Sequence, residues 1–170
     1  ADYMLASEEL EPGHGWDYSS LAVLSGSRDI TAIDLGSAIA DGFQSQAQDW
    51  DTDESITLSV LDLTFFPEFQ NAIGDLLSPL LSDLAPAAPS VSRALNGASR
   101  FASSANPAQD SHIVDLGNFV EGLGGIGIDD EIERVLNVLD RLVVDKVSGI
   151  ATKRASGVAV YFPPAADYAD

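Results

Sequence analysis

Short β-branched or aromatic runs alternate along this chain with longer segments of helical period, and that alternation narrows the fold more than any other feature. The runs are Asp2-Tyr3-Met4-Leu5-Ala6-Ser7, Ile56 to Leu63 (Ile-Thr-Leu-Ser-Val-Leu-Asp-Leu) and Gly157-Val158-Ala159-Val160-Tyr161-Phe162-Pro163, the last stopped by Pro163 and Pro164. Their length, content and bounding Gly, Pro or acidic residues read as strand. Between them, a short helix is predicted over Trp16 to Leu24, and a longer one from about Thr31 to Ala47 with Leu35, Ile39 and Phe43 on one face. A third helix carries Phe69, Ile73, Leu76, Leu77, Leu80, Leu81 and Leu84; Pro67 fits its first turn, and Pro79 predicts a kink or a break. Ala85-Pro86-Ala87-Ala88-Pro89 reads as the end of that segment, followed by a further helix over Ser90 to Ala102 and a loop from Ser103 to Ser111. His112 to Phe119 begins extended and turns helical near Asp115. After a turn at Gly122 to Gly127, Asp129 and Asp130 cap a helix bearing Ile132, Val135, Leu136, Leu139, Leu142 and Val143. Strands separated by helices predict an α/β fold, a few-stranded sheet flanked by helices, in one domain spanning 1–170. So thin a sheet leaves open edges, and its missing strands are expected from residues outside this chain.

The chemistry available to such a domain is bounded by composition. With 27 Asp+Glu against 8 Lys+Arg, the formal net charge is -19. That field repels nucleic acid and anionic membranes and favours cationic partners or high salt. There is no cysteine among the 170 residues, which excludes disulfides, thiolate metal sites and thiol catalysis within the chain itself. No apolar run reaches the length of a membrane span. The chain opens inside a strand with no leader pattern, as an interior fragment would.

Three segments together resemble the clostripain-like cysteine peptidase family. The first is Ala1-Asp2-Tyr3-Met4-Leu5-Ala6-Ser7-Glu8-Glu9 running into Pro12-Gly13-His14-Gly15-Trp16-Asp17-Tyr18; the second is Thr57-Leu58-Ser59-Val60-Leu61-Asp62-Leu63; the third is Ala155-Ser156-Gly157-Val158-Ala159-Val160-Tyr161-Phe162-Pro163. Val114-Asp115-Leu116 with Phe119 is similar to a minor motif of the same family. The first segment also resembles caspases at a distance. The resemblance implies a partial caspase-like α/β/α sandwich, with peptide bound across the carboxyl ends of strands, as is general for α/β sheets. It further implies cleavage of proteins after Arg or Lys by a Cys and a His that lie outside this chain, the remainder of the peptidase being the partner that supplies them. It implies a secreted or periplasmic location. The departure is the missing Cys: no residue here is a candidate for catalysis, and the chain alone is expected to be inactive. The alternatives at this point are a non-catalytic binding protein of the same fold and an acidic α/β structural domain.

Six residues are candidates for lining a substrate cleft: Ser7, Glu8, Glu9, Gly13, Trp16 and Tyr18. They lie where the first strand emerges into a loop. A carboxylate at Glu8 or Glu9 suits a substrate Arg or Lys through charge-assisted hydrogen bonds; the plainer reading is two solvated loop charges. Trp16 and Tyr18 suit aromatic walls or ordinary packing. Pro12, Gly13 and Gly15 set the path of the loop. Asp62 is expected at an edge or accepting backbone N–H bonds. His14 and His112 are the only histidines, and no Gly-x-Ser-x-Gly elbow accompanies them. Asp49, Asp51 and Asp53 have the alternation that opens a calcium loop, but Glu54 and Val60 stand where that loop needs Gly and Glu, which leaves at most weak Ca²⁺ binding and no expected cofactor. Gly122-Leu123-Gly124-Gly125-Ile126-Gly127 follows no strand and is a poor dinucleotide loop.

Overall fold

Residues Thr57 to Leu61 are buried without interruption, and the rest of the molecule is built around that strand. The computed structural model describes residues 1–26, 29–104, 106 and 109–163, so Pro164 lies outside the described residues. In chain order the elements are β1 (Tyr3–Ala6), a 3-10 turn (Tyr18–Ala22) running into α1 (Val23–Gly26), α2 (Ala32–Asp49), β2 (Thr57–Asp62), α3 (Phe66–Ser82), α4 (Leu84–Gly97), β3 (Arg100–Phe101), β4 (Ile113–Asp115), α5 (Leu116–Gly122), α6 (Asp129–Leu142), β5 (Val143–Ser148) and β6 (Ala159–Tyr161).

The expected single sheet is two small ones. The larger has the order β1-β2-β5 and the smaller β3-β4-β6, and every pairing is antiparallel. Thus β6, read from sequence as the third strand, belongs to a second sheet, and the central sheet takes β5 instead. Ala6 sits opposite Ser59, and Thr57 opposite Ser148. The carboxyl ends of β1 and β5 therefore lie beside the amino end of β2, so the carboxyl-end rule for parallel sheets holds here for two strands of three.

Central β2 is covered on both faces, with Leu58 and Val60 buried on one and the polar Thr57 and Ser59 buried on the other. Leu58 packs with Ala40, Phe43, Ala47, Ile56 and Val147 in the core under α2. Val60 faces the same helix so closely that a Cβ on Gly36 would lie 2.7 Å from its Cγ1. The buried stripe of α2 is thus Gly36, Ala40, Phe43 and Ala47; Leu35 and Ile39 of the expected face lie at its margin, because close approach to the sheet selects small residues. On the far side, α3, α4, α5 and α6 share a larger core that includes Phe69, Leu76, Leu80, Phe119, Val135 and Leu142. Helices on both sides of a sheet give the partial α/β/α layering expected.

Several boundaries differ from the sequence reading for identifiable reasons. Thr31 forms a reciprocal capping box with Asp34, which fixes the start of α2. Pro79 neither breaks nor ends α3, which runs on to Ser82. The proline-rich stretch after it is helical: α4 begins at Leu84, so Pro86 falls in a first turn that needs no N–H from it. That helix stops at Gly97, and Arg100–Phe101 is strand rather than the helix expected to Ala102. Asp129 and Asp130 are not caps. Ile128 holds the cap position, and the two aspartates with Glu131 occupy the first turn, favoured there by the helix dipole. Asp62 accepts from the Thr64 amide, as an exposed strand end should.

Candidate functional site

Three loops meet at the end of the central sheet where β1 and β5 finish: residues 7–18, residues 49–56 and the turn after Ser148. Backbone bonds hold the last two together, with Gly149 N donating to Ile56 O and Ala151 N to Glu54 O. The approach is so tight that a Cβ on Gly149 would lie 2.2 Å from Asp53 O. Thr152, itself buried, donates its hydroxyl to Ile56 O at 2.6 Å.

The first loop is fastened to this frame by Thr57. Its Oγ1 accepts from Glu8 N at 2.9 Å and Glu9 N at 3.0 Å, and lies 3.0 Å from Ser7 Oγ. Ser7 Oγ donates to Glu9 O at 2.7 Å, so its proton is committed. With both lone pairs of Thr57 filled, its own proton runs to Ser7 Oγ, and the four bonds close a ring around the point where the strand leaves the sheet.

Glu8 and Glu9 are not solvated loop charges. Glu8 is 8% exposed, and its Oε2 accepts from Gly157 N at 2.9 Å. Burial first, then the carboxylate of Asp115, pushes its pKa from 4.5 up to about 8, against smaller opposing effects of the Gly157 amide and Lys146. Glu9 Oε1 accepts from its neighbour Leu10 N and from Ala102 N, both at 2.8 Å. Ala102 has a φ of 46°, so Glu9 steadies an unfavourable backbone bend at the exit of β3. Ser7, Glu8 and Glu9 are therefore brought together, each holding backbone in place.

Gly13, Trp16 and Tyr18 lie further out. Gly13 is exposed in a turn closed by Gly15 N donating to Pro12 O, with Gly15 at a φ of 71°. Trp16 Nε1 donates to Glu11 Oε2, while its ring packs on the core under α2. Tyr18 is 76% exposed. Trp16 and Tyr18 line an apolar recess of about 140 Å³ with Asp17, Ser20, Leu21 and Ile39. The exposed Asp17 carboxylate is held below its ordinary pKa by the Ser19 hydroxyl and amide.

His14, which sequence reasoning set aside, ties the first loop to the second: Nδ1 faces Gly15 O at 2.8 Å and Nε2 faces Thr52 Oγ1 at 2.9 Å, between the rings of Phe43 and Trp50. A carbonyl only accepts, so Nδ1 carries the proton. His112 faces Asp110 instead, whose carboxylate is lowered chiefly by the His112 amide. Neither ring hydrogen-bonds a serine among the described residues. Thr57, Asp115 and Gly157, the partners that organise the site, gave no sequence signal of that role. Among the described residues no three carboxylates or imidazoles converge as metal ligands, and Asp49, Asp51 and Asp53 are not gathered into one. Gly122 serves helix packing, with Ala94 Cα 2.8 Å from where its Cβ would stand.

Against known proteins, the sequence profile described as the Clostripain family matches residues 1–159. No curated protein matches the chain. Among solved structures, a clostripain from Bacteroides thetaiotaomicron, crystallised with the peptide inhibitor BTN-VLTK-AOMK, is similar with a TM-score of 0.59 at 17% identity, over 86% of this chain and 56% of that one. An inactive zymogen C11 protease from Parabacteroides distasonis gives 0.61 at 15% identity, over 97% of this chain and 46% of that one. A B. fragilis cysteine protease gives 0.60 at 15%, over 97% and 70%. The chain thus spans about half the length of the first two. These likenesses bear on the fold, and they agree with the caspase-like layering.

Proposed function

Because the chain belongs to the clostripain family, matched from residue 1 to residue 159, we propose that it forms part of a cysteine endopeptidase acting after Arg or Lys. In this reading it supplies core strands and one wall of the peptide cleft. The nucleophilic Cys and its His base come from the remainder of the peptidase, since this chain contains no Cys. The observation that carries the reading is the convergence of loops 7–18 and 49–56 with the turn after Ser148 at one end of the sheet, with the path of Ser7 to Glu9 fixed by Thr57. A cleft wall needs such rigidity, because binding energy is lost to every residue that must be ordered on binding. Within the wall, Ser7, Glu8 and Glu9 set the backbone, while Gly13, Trp16 and Tyr18 meet the peptide. Preference for a basic side chain fits the formal charge of -19, and the inhibitor bound to the B. thetaiotaomicron relative is written with a final K in its VLTK peptide.

The test compares the isolated chain with the full peptidase. Alone, it hydrolyses no Arg-amide substrate, and measurable turnover would refute the assignment of the nucleophile elsewhere. In the full enzyme Tyr18→Ala, at an exposed position, raises KM for a peptide substrate severalfold with little change in kcat. A Trp16→Ala, Tyr18→Ala pair with unaltered KM would remove this recess from the cleft.

A further inference from the structure

Glu8, in the loop just past β1 of the larger sheet, and Asp115, at the end of β4 in the smaller, are remote in the sequence, yet both are removed from solvent. Asp115 is 0% exposed, and each of its oxygens has a backbone donor: Asn118 N to Oδ1 at 2.7 Å and Ser156 N to Oδ2 at 2.6 Å. Glu8 is served on one side only. Gly157 N reaches Oε2, and Oε1 is buried with no donor. The successive amides Ser156 N and Gly157 N hold Asp115 Oδ2 and Glu8 Oε2 as neighbours, and two ionised carboxylates so placed make no hydrogen bond to each other. The count of donors leaves the pair one proton short at Glu8 Oε1, where a protonated Glu8 supplies its own.

We propose that this proton is a latch joining the two sheets and holding the loop that leaves β1, closed while Glu8 is protonated and loosened when it ionises. The elements packed around Glu8 allow no other neutralisation. Among the described residues the charged groups acting on it are Asp115 from β4 and Lys146 from β5. Lys146 directs its ammonium to Ala155 O. Thr57 of β2 bonds the Glu8 amide, and Ser156 and Gly157, in the turn before β6, bond the two carboxyls. The carboxylate of Glu9 is engaged at Ala102 N. Loss of the proton sets two like charges side by side in the interior, where the response is separation of the segments carrying them. The segment set free on one side is Ser7 to Glu9, and on the other Ser156 to Gly157. The latch does not depend on the peptidase reading, because it concerns the chain in isolation.

The experiment follows the unfolding of the intact 170-residue chain and of Glu8→Gln from pH 6 to pH 9.5, with a ¹³C NMR titration of the Glu8 carboxyl. A Gln keeps the acceptor for Gly157 and supplies a permanent N–H donor in place of the Glu8 proton. In the wild type the unfolding constant climbs from pH 6 to about pH 8 by up to about tenfold per pH unit relative to the variant, and levels off above that. Glu8 titrates well above the ordinary carboxylate range, and Asp115→Asn, which retains an amide-capping oxygen for α5, brings that midpoint down. Parallel pH profiles for wild type and Glu8→Gln, or a Glu8 midpoint between 4 and 5, would overturn the proposal; the second readout stands even if the variant fails to fold.

Discussion

Thr57 does what no single residue type announces: one hydroxyl satisfies two amides of a departing loop and hands its own proton to Ser7. Thr57→Val keeps the shape and β preference and strands those two amides, so it destabilises by about 1–3 kcal/mol, whereas Thr57→Ser restores most of the loss. Urea unfolding of the three proteins measures this, and equal midpoints for Val and Thr would dismiss the ring. For Glu8 the sign of the pH effect is fixed by its raised pKa. The folded chain holds the proton to about 8 and the unfolded chain only to 4.5. Stability from that proton is complete below the lower value and declines as pH climbs through the upper one, by on the order of a few kcal/mol. Neither role was legible in the sequence. Thr57 read as an ordinary strand residue, and Glu8 as a loop acid or a ligand for a cation. What changes both readings is distance along the chain: the partner of Glu8 is Asp115, and that of Glu9 is the amide of Ala102.

Elements with a local signature were read well. The start of α2 near Thr31, the apolar period of α3 and α6, and the β-branched run of β2 all follow from interactions within a few residues. Failures came where an element changes without punctuation. Helix α6 passes into β5 between Leu142 and Val143 with no Gly or Pro between them, so Val143 continued the helical stripe and the strand after it went unseen. The opposite error arose in α4, where two prolines looked like a stop and proved to be a first-turn residue and a tolerated interior one. At this scale the exposed cap is the sharpest test. Thr31→Ala removes one side of the reciprocal pair with Asp34 and costs about 1 kcal/mol, with Thr31→Ser near neutral. A loss of helical circular dichroism confined to a shifted melting midpoint is the expected record; an unshifted midpoint would mean that α2 is set by packing alone.

For the molecule as a whole, the class was visible and the connectivity was not. Alternating runs and periods specify α/β layering, but they do not say which strands share a sheet, and β6 left the central sheet to β5. The excess of 27 acidic over 8 basic side chains acts at this scale too. With so few cations most acids go uncompensated, though among the described residues Arg134 pairs with Asp75 and Arg141 with Glu68 at the surface. Screening therefore helps more than it harms, and the melting temperature rises between 0.05 and 1 M NaCl. A flat or falling curve would show that local pairs outweigh the general repulsion. One consequence of the antiparallel pairing concerns time rather than energy. Ala6 must find Ser59, and Thr57 must find Ser148, before the loop beyond β1 has anything to rest on. Each meeting closes a long stretch of chain, whose entropy is spent before its contacts repay it. This loop cluster is assembled from three remote addresses in the polypeptide, so its completion waits on those long closures of the chain.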